Sequence, residues 1–173
     1  MLISCRCQFL FAIYFCAIAL ACPAASKVRA GFYGHDYGDY FPHAFVVLRG
    51  TVEKTGQKVD RRYGFTAEKI SIAILAGPVV GTFNVLEDSY ITSTKKYFEI
   101  VLTDAQYLKV LGTVEEWKSV KGKSYSLQNR NCIHFVGKIA ETVGLRVTYE
   151  KRLLRKPILF LQNIMKLNPG LSN

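Results

Sequence analysis

The hydrophobic positions of this chain form one unbroken N-terminal run, followed by shorter and interrupted segments. Residues 9–21 are apolar throughout, Arg6 precedes them, and small residues follow at 23–26. This order is typical of a secretory signal peptide, and 13 apolar residues are fewer than the roughly 20 that span a membrane. We therefore predict a signal peptide over 1–26 and export to the periplasm or beyond, in preference to a lipid or membrane anchor.

The first half of the remaining chain alternates between β-prone and polar segments. Residues 44–48 are apolar, a polar turn lies near Thr55, and residues 58–65 are again β-prone, which predicts a β-hairpin. Further strands are expected at 79–86 and 97–102, an irregular Gly- and Tyr-rich segment at 27–42, and either a helical turn or a strand at 70–75.

The second half has helical periodicity. Thr103 and Gln106 have the spacing of a capping box, and apolar residues then recur at helical intervals to about Lys118. A second helix is expected from the capping Asn131 to Gly144, which is well placed to end it.

A third helix is expected at 158–167, after the basic residues 151–156. On it, Leu161 and Met165 share a face with Ile158 and with Leu154 before it. Such a helix either covers a core or lies on a membrane, and we favour the core. The segments after the leader therefore predict a single α+β domain over 27–173 that ends in a basic helix.

The charge of the chain narrows its partners. The residues after the leader keep 22 of the 23 Lys and Arg against all 13 acids, a formal charge of about +9. For an exported protein, this charge points to anionic cell-wall polymer or lipid head groups before nucleic acid, or to a solvated surface with no specific partner. We expect no nucleic-acid partner, and the oligomeric state is left open.

Cys132 is the one cysteine outside the leader, so the mature chain forms no internal disulfide and no Cys-rich zinc site is expected. Cys132 directly follows the capping Asn131, and a helix N-terminus favours a thiolate. The alternative is a small buried hydrophobic residue. His134 lies about 200° around the helix from Cys132 and is expected to be structural. His43, at the head of the most hydrophobic strand, is the better base for a thiol nucleophile.

A His at the head of a strand, followed 89 residues later by the sequence Asn131-Cys132-Ile133-His134-Phe135-Val136, resembles the circularly permuted papain-like superfamily. This superfamily includes NlpC-type cell-wall peptidases and lecithin:retinol acyltransferase-like proteins. The acyltransferase branch carries the sequence Asn-Cys-Glu-His-Phe, and this chain has Ile133 in place of the Glu. The resemblance spans roughly 40–145. It implies an antiparallel sheet packed against the helix that carries the Cys.

The third catalytic position departs from that pattern. The acyltransferase branch is expected to have a second His on the next strand, and no His lies between His43 and His134. A hairpin that turns near Thr55 puts His43 opposite residues 66–68. Thr66 is our choice; the alternatives are Glu68 and, in another register, Asp60 or Tyr63.

These observations predict an exported thiol hydrolase or acyltransferase that acts on an amide or ester, with Cys132 as nucleophile, His43 as base and Thr66 as third residue. The expected substrate is a cell-wall peptide or a lipid, and no cofactor or metal is expected. The alternative is a non-catalytic secreted binding module of the same fold.

Overall fold

The computed structural model describes residues 27–35, 41–84 and 86–171, so the expected signal peptide over 1–26 lies outside the described residues. Its architecture confirms the α+β class, with an antiparallel sheet and helices. The strands are β1 Arg29–His35, β2 His43–Thr51, β3 Lys58–Ala67, β4 Gly81–Asn84 and β5 Lys95–Val101, and the helices are α1 Ala73–Ala76, α2 Asp88–Ser93, α3 Asp104–Ser119, α4 Cys132–Thr142 and α5 Pro157–Leu167, with a 3-10 turn at Lys151–Leu153.

The five strands lie in the order β4-β3-β2-β1-β5, each antiparallel to its neighbours. The predicted hairpin is β2–β3, in which Val46 pairs with Tyr63 and Thr51 with Lys58. Continuing that register by three residues puts His43 opposite Thr66, at the end of the sheet where β2 begins and β3 ends. The two β-prone segments and the polar turn between them were thus sufficient to predict the pairing.

The two faces of the sheet bury different clusters. Alternate residues of β2, Ala44, Val46 and Leu48, join the main core with the buried face of α4. The residues between them point the other way, where Phe45 and Val47 pack with Leu86 and Ile91 under α2 in a smaller cluster. Because the sheet is covered on both faces, β2 is a nearly continuous apolar run.

The main departure from the sequence prediction is β1. Residues 27–42 were expected to be irregular, but 29–35 form a strand between β2 and β5. Glycine is a weak strand former, but here Gly34 permits a close approach. A Cβ on Gly34 would lie 2.8 Å from Cδ1 of Leu161 on α5. The strand therefore depends on packing partners far away in the chain, which local composition does not show.

The longer helices α3, α4 and α5 follow the prediction closely, whereas the short helix α2 was not predicted. Thr103 and Gln106 form the expected capping box at the start of α3, and Gly144 has a φ of 96° just after α4. The undecided segment 70–75 contains the single turn α1. Among the described residues, no helix has both the length and the apolar character needed to cross a membrane.

The C-terminal helix α5 covers the core, as favoured, and packs against β1. Its buried face was predicted only in part. Phe160, Leu161 and Ile164 are fully buried, whereas Ile158 and Met165 are only partly buried. The apolar face of α5 is therefore used inside the molecule.

Candidate functional site

The start of α4 is held by the side chain of Asn131, which is buried. Its Oδ1 accepts from the backbone N–H groups of Ile133 (2.9 Å) and His134 (3.3 Å), as a helix cap does. Its Nδ2 donates to the carbonyl oxygens of Leu127 (2.8 Å) and Leu154 (2.9 Å). An amide is needed here because the site requires an acceptor and two donors on one short side chain. Asn131 therefore joins α4 to two other segments.

Cys132, the first residue of α4, is buried. Burial raises the pKa of its thiol to about 11, although backbone N–H groups of Ala44, Ile133 and Cys132 itself act in the opposite direction. These contacts place Sγ beside the backbone of β2, one residue after His43. The resting form of Cys132 near neutral pH is the thiol, in contrast to the thiolate that a helix N-terminus favours when it is exposed.

His43 begins β2 and is also buried, at 7% exposure. Its ring stacks on Phe45 with centroids 6.1 Å apart, and its Nε2 lies so close to Gly64 that a Cβ there would be 2.7 Å away. Burial lowers the pKa of His43 to about 4, and its cross-strand neighbour His35 adds to the shift. His43 is therefore neutral at pH 7, and its buried Nε2 has no hydrogen-bond partner among the described residues.

The three predicted site residues line one cavity of about 610 Å³ at this end of the sheet. Cys132 and His43 share it with Thr66, which β3 places in register opposite His43. Its wall is mainly apolar, and the residues from 70 to 75 and the side chains of Leu127, Leu154 and Pro157 supply most of the rest. No hydrogen bond joins Sγ to Nε2 of His43, because the ring of His43 stacks on Phe45 and its Nε2 lies against Gly64, on the face of β2 opposite to α4.

The alternatives for the third position lie elsewhere. Glu68 and Asp60 are exposed, and Asp60 is bonded to Arg62 and Arg49. Tyr63 belongs to the main core and meets Phe83 edge-on. Of the four candidates, Thr66 alone lines the cavity. Its catalytic role stays a prediction.

His134 has the structural role expected of it. Its Nδ1 accepts from the backbone N–H of Asn131 (3.3 Å), which completes a capping box, and its ring stacks on Tyr149 with centroids 5.5 Å apart. Burial lowers the pKa of His134. The ring therefore stabilises the start of α4.

Tyr125 also lines the cavity, and the sequence predicts a loop residue near it as an additional donor to the oxyanion. Its backbone forms an isolated bridge with Val79, which brings the loop before α4 to the cavity. Burial, together with the nearby Cys132, raises the pKa of Tyr125, so its hydroxyl stays protonated and can donate. A Gly-Pro stop before an apolar pair at 79–80 was the only sequence signal for this contact.

No group of three or more His, Cys, Asp or Glu side chains within 27–35, 41–84 and 86–171 is arranged to hold a metal ion.

The chain matches no family model, no curated protein and no solved structure. The function must therefore be argued from the cavity and the residues around it.

Proposed function

We propose that this protein is an exported thiol-dependent hydrolase or acyltransferase, with a papain-like fold of the permuted NlpC type, that acts on an amide or ester. The observation that carries the proposal is the shared cavity. It is lined by a thiol at a helix start, by the neutral imidazole of His43 and by Thr66. The order of a His strand before the Cys helix supports the permuted type.

The chemistry begins from a neutral pair, because Cys132 is a thiol and His43 is uncharged. As Sγ attacks the carbonyl carbon, its proton moves to Nε2 of His43 and the carbonyl π electrons move to oxygen. Backbone N–H groups at the start of α4 and the Tyr125 hydroxyl, which lines the same cavity, are the candidate donors to that oxygen. The Sγ–Nε2 hydrogen bond requires the ring of His43 to leave Phe45 and Gly64 and to turn toward Cys132 when substrate enters.

The tetrahedral intermediate then collapses, and the amine or alcohol leaves with the proton held by His43. The acyl group remains on Sγ as a thioester. Water or an amine next attacks that thioester, giving hydrolysis or transfer. The substrate is a cell-wall peptide or a lipid, and the mainly apolar wall of the cavity favours an acyl group of low polarity.

A non-catalytic binding module is the second candidate, and one specific observation favours it. The two key groups have pKa values displaced in the directions that oppose an ion pair, with Cys132 raised to about 11 and His43 lowered to about 4. Active thiol nucleophiles generally have lowered pKa values. A module of this kind would keep the cavity for binding and use its thiol for packing.

Acylation kinetics separate the two candidates. The full chain is mixed with p-nitrophenyl esters of short and long acyl chains, and nitrophenol release and the mass of the acylated peptide are followed. We expect a thioester on Cys132 that forms faster than on the same thiol in the unfolded chain. His43→Gln is expected to slow acylation by about 10²-fold or more, the usual contribution of a general base.

Thr113→Val provides a matched control, because Thr113 bonds Thr142 between α3 and α4, away from the cavity. Its acylation rate is expected to equal that of the unmodified chain. Acylation of Cys132 no faster than in the unfolded chain, or a rate unaffected by His43→Gln, rejects the enzyme and leaves the binding module.

A further inference from the structure

The mouth of the cavity carries an unusual concentration of exposed apolar side chains. We call Phe41, Ile70, Ile72 and Leu75 the mouth patch; all four line the cavity and all four are exposed. Ile72 and Leu75 are 84% and 70% exposed, the highest values among the large hydrophobic residues of the described chain. Helix α1, which includes Leu75, buries none of its residues. Contiguous exposed apolar surface of this kind marks an interaction site.

Cationic residues border the mouth patch. Arg155 lines the same cavity, Lys156 follows it, and Lys69 directly precedes Ile70. All three are exposed, and none has an ion-pair partner within the described residues. Glu68 is the acidic neighbour in sequence. An apolar surface with basic residues at its border is the composition of segments that lie at the interface of an anionic membrane.

The apolar face of α5 does not compete for this role. Its side chains Phe160, Leu161 and Ile164 are fully buried, and Leu159 is the one large apolar side chain that α5 exposes among the described residues. The mouth patch, by contrast, is continuous with the apolar wall of the cavity.

We propose that the mouth patch docks onto an anionic lipid surface, with Ile72 and Leu75 inserted among the acyl chains and Arg155, Lys156 and Lys69 at the head groups. This orientation turns the opening of the cavity toward the bilayer. Docking does not depend on the proposed function; only the delivery of a lipid to Cys132 does.

Fluorescence quenching identifies the surface that meets the membrane. The full chain has a single tryptophan, Trp117, which is buried, so a second tryptophan can be introduced and the signal of the unsubstituted chain subtracted. Ile72→Trp is compared with Leu108→Trp, an exposed position on α3 that does not line the cavity. The vesicles contain phosphatidylcholine with brominated acyl chains, with or without phosphatidylglycerol.

We expect the anionic vesicles to quench the Ile72→Trp fluorescence and to leave the Leu108→Trp fluorescence unchanged, and added salt to reduce the effect because it screens the cations. The double variant Ile72→Ser with Leu75→Ser is expected to bind these vesicles about 100-fold more weakly, since each buried aliphatic side chain contributes roughly a factor of ten. Both positions are exposed, so the fold should be retained.

Equal quenching at both positions, or none at Ile72→Trp, overturns the proposal. Both variants carry the same leader, so attachment through the leader alone cannot produce the expected difference. Undiminished binding of Arg155→Glu with Lys156→Glu also contradicts it, because the cations would then play no part. Cys132→Ser is expected to dock normally, so docking can fail while acylation succeeds, and the reverse.

Discussion

Acid titration tests the environment that the structure gives His43. A buried His43 with a pKa of about 4 takes up a proton far less readily than the same residue in the unfolded chain, where its pKa is near 6.5. Above about pH 6.5 both states are neutral at this residue. Between that pH and about 4 the unfolded state binds the additional proton, so stability falls as the pH falls.

The size of the effect follows from the displacement of the pKa. A shift from 6.5 to about 4, at 1.36 kcal/mol for each pKa unit, gives roughly 3 kcal/mol. This is a large share of the 5–15 kcal/mol that typically stabilises a folded domain. His43 is therefore expected to dominate the loss of stability in weak acid.

The assay is urea unfolding of the full chain at several pH values, with the same series for His43→Gln. We expect the variant to lose most of the pH dependence between about 6.5 and 4, whatever its absolute stability. His134→Gln is the matched control: half-burial also lowers the pKa of His134, yet most of the pH dependence should remain. The carboxyl group of Asp60, whose pKa Arg62 lowers, titrates in every variant and cancels. Equal pH dependence in the unmodified chain and His43→Gln would refute the buried, neutral imidazole.

Two substitutions and one alkylation experiment test the candidate site and the residues that hold it in place. Asn131→Asp keeps the cap acceptor and removes both donors to the Leu127 and Leu154 carbonyls; we expect urea unfolding to show a loss of about 3 kcal/mol, and a loss below about 1 kcal/mol would contradict the bridging role. Gly34→Ala should cost about 1–3 kcal/mol, because the new Cβ meets Leu161, and a Leu161→Val partner that recovers none of this cost would disprove the steric cause. Alkylation of Cys132 in the substrate-free chain should be slow at neutral pH and should accelerate up to about pH 11; a rate that levels off below pH 8 would show a thiolate that the structure does not have.

Local patterns predicted the parts of the fold that depend on neighbouring residues. The β2–β3 hairpin follows from two β-prone segments joined by a short polar turn. Helices α3 and α4 follow from their caps and from apolar residues at helical spacing. Strand β1 could not be predicted in this way. It lies between β2 and β5 in the sheet, and Leu161 packs over its Gly34 from the far end of the chain, so its support includes distant residues.

The candidate site shows the same division. Cys132 and His43 could be proposed from a helix cap and the head of a strand, and the hairpin register indicated Thr66. Their protonation could not be foreseen, because desolvation depends on the burial that the complete fold provides. A donor near Tyr125 was expected from the loop before the Cys132 helix, but its bridge to Val79 has no periodic pattern and could not be predicted.

The two hydrogen bonds that Asn131 donates also determine when the start of α4 can be completed during synthesis. A ribosome makes the chain from its N-terminus. One of these hydrogen bonds cannot form until Leu154 has been synthesised, 23 residues after Asn131, because its carbonyl is the acceptor. Strand β1 obtains its last contacts later still: it pairs with β5, and Leu161 then packs against Gly34. The nascent chain therefore cannot complete its thiol pocket until nearly all of it has been synthesised. A chain in which β1 and α5 must meet therefore remains incompletely folded through most of its synthesis.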